Sequence, residues 1–408
     1  MGLTAHLVRP RLMLLPKAAP LFFLFLFFSE TLRPGSPAAL LWTAPAILGS
    51  ALMIAWAAES AQFFIAQGFA LAILALLQTL PEFAVEAAIA WHRETHYLLA
   101  SLTGALRLLT GFGWPVIYFT AAVVHRRRTG RPLRGIRLEE HHAIEVTGLA
   151  APLLYFAFVI WKGSLAIYDS AVLLGIYAAY LLILSRMPAE DPESIDELER
   201  IPRAIVTAPK RTRVTTILGL FAAGGFFIFY SADPFVESLL GLSALIGATA
   251  FGLLQRIAPV ASEFPEMLST FYWARTVKRA PMALMNMASS NINQWTLLPA
   301  LLPVVLSVSS GAVTPVVFDE TQHRELQMTL AQAVIGLMFL INMELAFWEA
   351  CVLFALWAIP FLYAPAATPV TWIYFLWAAA EAVRMLLGYR KPAAFIEFAH
   401  LWRAHMQR

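Results

Sequence analysis

The sequence predicts an all-α polytopic membrane protein, and three observations carry that prediction. Sixty per cent of the 408 residues are apolar and 13% are charged, against roughly a quarter charged in a soluble domain. Apolar runs recur at or near the ~20 residues that a helix needs to cross a bilayer. The basic residues of this chain, whose net charge is +3, fall in the breaks between those runs. That placement fits positive-inside orientation better than nucleic-acid binding, which needs a folded polar face that the chain does not offer. The lone Cys351 excludes a disulfide framework and a cysteine metal cluster.

Taken in order, helices are expected over 14–28, 38–58, 61–90, 96–124, 142–161, 165–186, 214–231, 235–273, 280–309, 327–343, 346–364 and 370–388, about twelve in all. The first, "PLFFLFLFF", follows Arg9, Arg11 and Lys17 and resembles the apolar region of a signal peptide. No small-x-small cleavage site follows it, so a retained helix is expected. Threading these spans puts "HRRRTGRPLRGIR" (from His125), the 187–213 loop with "KRTR" (from Lys210), "ARTVKRA" (from Ala274) and both termini on one side. That side is expected to be the cytoplasm, and the membrane a bacterial inner membrane. The opposite loops, "ETLRPGSP", "WHRETH", "GAVTPVVFDETQHREL" and "YAPAATP", are shorter, mixed or acidic.

Two of the spans carry a Pro-Glu pair, Pro81-Glu82 and Pro265-Glu266. Each is followed by a short polar break and a span opening with small residues: "LLASLTGALRLLTG" in the first half, "LMNMASSNINQWTLL" in the second. With one residue inserted, Ser101 matches Asn286, Gly104 matches Ser289 and Ala105 matches Ser290. In the threading the first Pro-Glu helix runs outward and the second inward. The chain therefore reads as a ten-helix core of two inverted repeats, the arrangement that places substrate near the midplane in many secondary transporters. The expected units are an extra N-terminal helix and outer loop (1–37), the first repeat (38–186), a cytoplasmic loop (187–213), the second repeat (214–364), and an extra helix with a cytoplasmic tail (365–408).

A proline inside a helix leaves the carbonyl four residues earlier without its donor, here Leu77 and Ala261. A carboxylate in the membrane costs on the order of 3 kcal/mol on insertion scales. A hard cation resolves both, because calcium takes six to eight oxygens from carboxylates and carbonyls. Glu82 and Glu86 lie four apart, Glu263 and Glu266 three apart, each pair on one helix face. Asn286, Ser289, Ser290 and Asn293 form a polar stripe on the following helix. It reads as further ligands or as interhelical hydrogen bonding.

"QTLPE" (from Gln78), "SEFPE" (from Ser262) and "NMASSN" (from Asn286) resemble the paired motifs of the sodium/calcium exchanger family of cation antiporters. The resemblance covers about residues 38–360 and suggests a divergent member. It implies that Glu82 and Glu266 are the central cation-binding carboxylates. It implies further that Gln78, Thr79, Ser262 and Glu263 offer carbonyl and hydroxyl ligands, with Asn286 and Ser290 completing the site. Ser101 stands where the family usually has Asn, Leu106 where it has a second Asn, and Glu263 where it has a hydroxyl. Those departures leave the coupling ion and stoichiometry open. Arg107, beside Leu106, is expected to pair with Glu82, Glu86 or Glu263, either as a tethered cation in a sodium position or as a structural salt bridge.

The function expected is a secondary antiporter exporting calcium or a similar divalent cation against sodium or protons by alternating access, with no cofactor. A proton-coupled or non-calcium antiporter of the same fold is the nearest alternative, and an intramembrane enzyme or a channel a more distant one. No nucleophile–base pair at one depth supports the enzyme. The expected partners are the lipid bilayer and inorganic cations. His92 and His96 in "WHRETH" read as an exposed loop. "LEEHHAIE" (from Leu138) reads as a helix start whose acids suit the helix dipole, with a regulatory cation or pH site as the less favoured reading.

Overall fold

A computed structural model describes residues 35–64, 77, 79–187, 195 and 198–406. The expected first helix (14–28), Gln78 and most of 61–78 lie outside the described residues. The rest is helical: α1 (Leu40–Ala61), α2 (Leu80–Trp91), α3 (Ala100–Thr129), α4 (Glu140–Lys162), α5 (Ile167–Leu184), α6 (Arg200–Val206), α7 (Lys210–Ile246), α8 (Ala250–Ala274), α9 (Ala280–Ser310), α10 (Glu320–Leu340), α11 (Phe347–Leu362), α12 (Ala367–Leu386) and α13 (Ala393–His405). Among the described residues, six helices are long and apolar enough to cross a membrane.

Two boundaries differ from the sequence expectation. Residues 214–231 and 235–273 were expected as separate helices, broken near Pro234. Instead α7 runs unbroken over 37 residues with Pro234 inside it. The Ser238 hydroxyl donates to the Pro234 carbonyl, and α7 is supported along its length by α1. The chain turns later, at Gly247, whose φ of +68° suits glycine. Thr249 then caps α8, accepting from the Gly252 N–H at 3.3 Å. The second difference is Pro81. Expected inside a long helix, it stands in the first turn of α2, where Thr79 is the cap and where a missing N–H costs nothing. The midhelix-proline argument therefore holds at Pro265, inside α8, but not at Pro81.

Two short antiparallel ribbons join the halves of the chain. Gly135–Arg137 (β1), between α3 and α4, pairs with Glu344–Ala346 (β4), between α10 and α11. Ser164–Leu165 (β2), between α4 and α5, pairs with Val316–Val317 (β3), between α9 and α10. At the centre α3 crosses α8 at a backbone contact. A Cβ on Gly104 would lie 1.9 Å from the Gln255 carbonyl oxygen, so only glycine permits the crossing. Within α3, Leu109–Gly113 form a π-helical turn.

The cytoplasmic-loop expectation for 187–213 gains structure in α6. Ile205 packs with Ala57 of α1 and Ile217 of α7. Beside it, burial raises the Glu199 carboxyl above its ordinary range, opposed by a hydrogen bond from Trp56. The tail after α12, expected as a cytoplasmic segment, forms α13. It returns to the core through Ala394, whose N–H donates to the Ile341 carbonyl.

Candidate functional site

The candidate site lies where α2, α3, α8 and α9 meet. Glu82 occupies the first turn of α2 and is fully buried, as is Glu86 one turn later; Glu263 and Glu266 on α8 are nearly so. The Glu82 and Glu263 carboxylates lie within hydrogen-bonding reach of each other, and among the described residues neither Glu82 oxygen meets a donor. Glu266 accepts from the Ser290 hydroxyl at 2.7 Å through one oxygen; its other oxygen is buried with no donor. Glu263 accepts from the Gln294 amide at 2.9 Å.

Neutral oxygens surround these acids. Thr79 is buried at the α2 cap, and its carbonyl accepts from the N–H groups of Glu82 and Phe83 at 3.1 and 3.2 Å. Ser262 is buried on α8, its hydroxyl donating to the Ala258 carbonyl at 3.2 Å. Ser101 on α3 and Asn286 and Asn293 on α9 are buried, their side chains meeting no partner among the described residues. Uncompensated burial of such amides costs on the order of 1–3 kcal/mol each by protein mutational measures, which marks the region as one built to meet something polar. Among the described residues no group of three or more His, Cys, Asp or Glu side chains could hold a metal ion.

Two residues stand elsewhere than expected. Glu86 was read as a ligand. Its carboxylate instead accepts from the backbone N–H groups of Leu102 (2.9 Å) and Leu99 (3.4 Å), satisfying donors that every helix start leaves open. Leu99, with φ of +70°, gives α3 no side-chain cap of its own, so a buried acid on the neighbouring helix does that work. Arg107 does not reach Glu82, Glu86 or Glu263. It pairs with Glu325 of α10 at 2.9 Å, and Glu325 also accepts from Gln255 at 3.0 Å. The cluster joins α3, α8 and α10 rather than filling the carboxylate site.

Sequence reasoning missed Gln294 and Tyr180. Gln294 follows Ser290 by four residues, so the polar stripe extended one turn further would have found it. Tyr180 of α5 hydrogen-bonds to Ser289 at 2.9 Å, a long-range contact with no local signature. The two loop histidines each meet a surface aspartate: His92 with Asp233 at 3.3 Å and His96 with Asp319 at 3.2 Å. In "LEEHHAIE", His142 Nδ1 accepts from the Glu139 N–H at 3.1 Å in a reciprocal cap.

The chain matches the family model described as sodium/calcium exchanger protein over residues 36–186 and 216–364. No curated protein matches it. Among solved structures it is similar to the crystal structure of the H+/Ca2+ exchanger CAX, with 27% identity and a TM-score of 0.85 over 95% of this chain and 96% of that one. It shares the fold of native YfkE (14% identity, TM-score 0.60, 87% and 97% covered). It also shares that of the sodium-calcium exchanger NCX_Mj soaked with Na+ and Sr2+ (16%, 0.50, 84% and 99%).

Proposed function

This chain belongs to the sodium/calcium exchanger family, and from that premise we propose that it exports calcium, or a similar divalent cation, in exchange for protons. The observation that carries the proposal is the Glu82–Glu263 contact, with Glu266 beside it. Two buried carboxylates within hydrogen-bonding reach need either a shared proton or a cation between them. Exchanging one for the other is the chemistry of a proton-coupled divalent antiporter. Similarity to an H+/Ca2+ exchanger supports the same reading. Sodium coupling is the second reading, favoured by the buried neutral oxygens of Ser101, Asn286 and Asn293.

In this reading the cation is held by Glu82 and Glu266, with Glu263, Thr79, Ser262, Ser101, Asn286 and Ser290 around it. Glu86 positions α3 from behind. The two repeats rock or slide so that the site faces one side at a time.

Inverted repeats are supported by the ribbons. The loop between the third and fourth helices of the first half pairs with the loop between the fourth and fifth of the second, and the converse pairing forms the other ribbon. That exchange arises naturally when one half is inverted. A second parallel supports it: Asp169 caps the start of α5 at 2.6 Å from the Ala166 N–H, and Glu349 caps the start of α11 at 2.8 Å from that of Ala346. The basic loops and both termini face the cytoplasm of an inner membrane.

The test is calcium flux in inside-out vesicles, with sodium and pH gradients imposed separately. Flux driven by the pH gradient alone supports proton coupling. Flux driven only by sodium moves the assignment to the second reading.

A further inference from the structure

The helix that carries the second Pro-Glu pair also bears an arginine, Arg256, that the transport site does not use. Arg256 is six residues past the start of α8, about 9 Å along the helix axis. Its guanidinium lies over the Phe361 ring at 5.8 Å. Among the described residues it makes no ion pair. The polar neighbours are committed elsewhere: Arg107 to Glu325 at 2.9 Å, and the Gln255 amide to Thr103 and Glu325 at 2.9 and 3.0 Å. Arg256 is left as the net positive charge of a small groove of about 60 Å³ between α3, α8, α10 and the α11–α12 corner. Leu108, Pro259, Trp357 and Pro360 line its apolar side. Leu362, Tyr363 and Trp372 stand exposed around that corner, which the threading places at the outer edge of the membrane, where amphipathic aromatics collect.

We propose that this groove seats the phosphate of one phospholipid on Arg256, with an acyl chain lying along the exposed apolar surface beside the α11–α12 corner. An arginine does not lose its charge in a protein, so one inside a membrane span needs an anion or water. Side chains on a helix lean toward its N-terminus, which carries this guanidinium toward the headgroup level at the near end of α8. A planar guanidinium matches phosphate oxygens bidentately. The Phe361 face holds it in place by a cation–π contact. The exposed apolar surface beside it accepts a chain, not a free ion.

Full-length protein, delipidated in mild detergent and titrated with phosphatidylglycerol, tests this by native mass spectrometry. Diacylglycerol with the same chains serves as the phosphate-free competitor. One phosphatidylglycerol per chain is expected, resistant to displacement by diacylglycerol. Arg256→Gln should weaken retention roughly tenfold or more, as loss of a charged hydrogen-bond partner does. Arg403→Ala on α13 should leave it unchanged. No retained lipid in the wild type, displacement by diacylglycerol, or equal retention in Arg256→Gln would each overturn the proposal. The two wild-type measurements decide it even if the variant does not fold.

Discussion

Ser290 on α9 donates its hydroxyl to Glu266 on α8 at 2.7 Å, leaving the second Glu266 oxygen buried without a donor. One oxygen is thereby fixed in direction and the other left open. Ser290→Ala should keep transport but raise the half-saturating calcium concentration roughly tenfold or more, since hydrogen bonds to charged groups are worth about 1.5–3 kcal/mol. Calcium dependence of flux in reconstituted vesicles measures this. An unchanged half-saturation would separate Ser290 from the site.

Arg390, 8% exposed, holds four groups together. It donates to the Phe339 carbonyl, the Asn342 side chain, Glu349 and Glu381, all at 2.8–3.0 Å. Glu349 caps α11, so the segment after α12 supplies the countercharge that Lys162 supplies to Asp169 in the first half. Arg390→Ala leaves the buried Glu349 without its cation, while Glu381 keeps Arg384, and should cost about 3–5 kcal/mol, read as a large fall in Tm in detergent. Glu349→Gln added to it should recover part of the loss. Additive losses would contradict the pairing.

Arg107 and Glu325, 12% and 22% exposed, join the two halves away from the carboxylates. Arg107→Ala should lower stability on the order of 1–3 kcal/mol, between exposed and buried pairs, while the ion dependence of flux stays that of the wild type. A changed proton or sodium dependence would return Arg107 to the transport site.

The ribbon partners Ser164 and Val317 test the topology. Ser164→Cys with Val317→Cys, in a Cys351→Ala background, should form a disulfide, because paired strand positions lie within bridging range. Before oxidation both should label from outside the cell, whereas a cysteine at Arg128 or Arg211 should label from the cytoplasm. External labelling of either basic loop would contradict the inverted arrangement.

Much of this was legible in the sequence because it is local. Apolar runs gave most helices, and the Pro-Glu pairs gave the acids that meet at the centre. What was not legible depends on distant partners. Nothing near Arg107 points to Glu325, more than two hundred residues on. Nothing near Glu86 shows that its carboxylate would cap a neighbouring helix. Pro234 reads as a break, yet α1 supports α7 through it, and the turn falls at Gly247. The paired caps did leave a trace, in "IYDSA" (from Ile167) and "FWEAC" (from Phe347), each an aromatic, an acid and a small residue in series. That similarity becomes a repeat signal only once both acids are seen at equivalent helix starts.

The central claim is that Glu82 and Glu266 hold the transported cation. Its most direct test is calcium flux in vesicles holding matched amounts of membrane-inserted wild type, Glu82→Gln and Glu266→Gln. Each substitution keeps the side chain's size and polarity and removes its charge. The account predicts gradient-driven flux in the wild type and none above background in either variant; wild-type flux in either would contradict it.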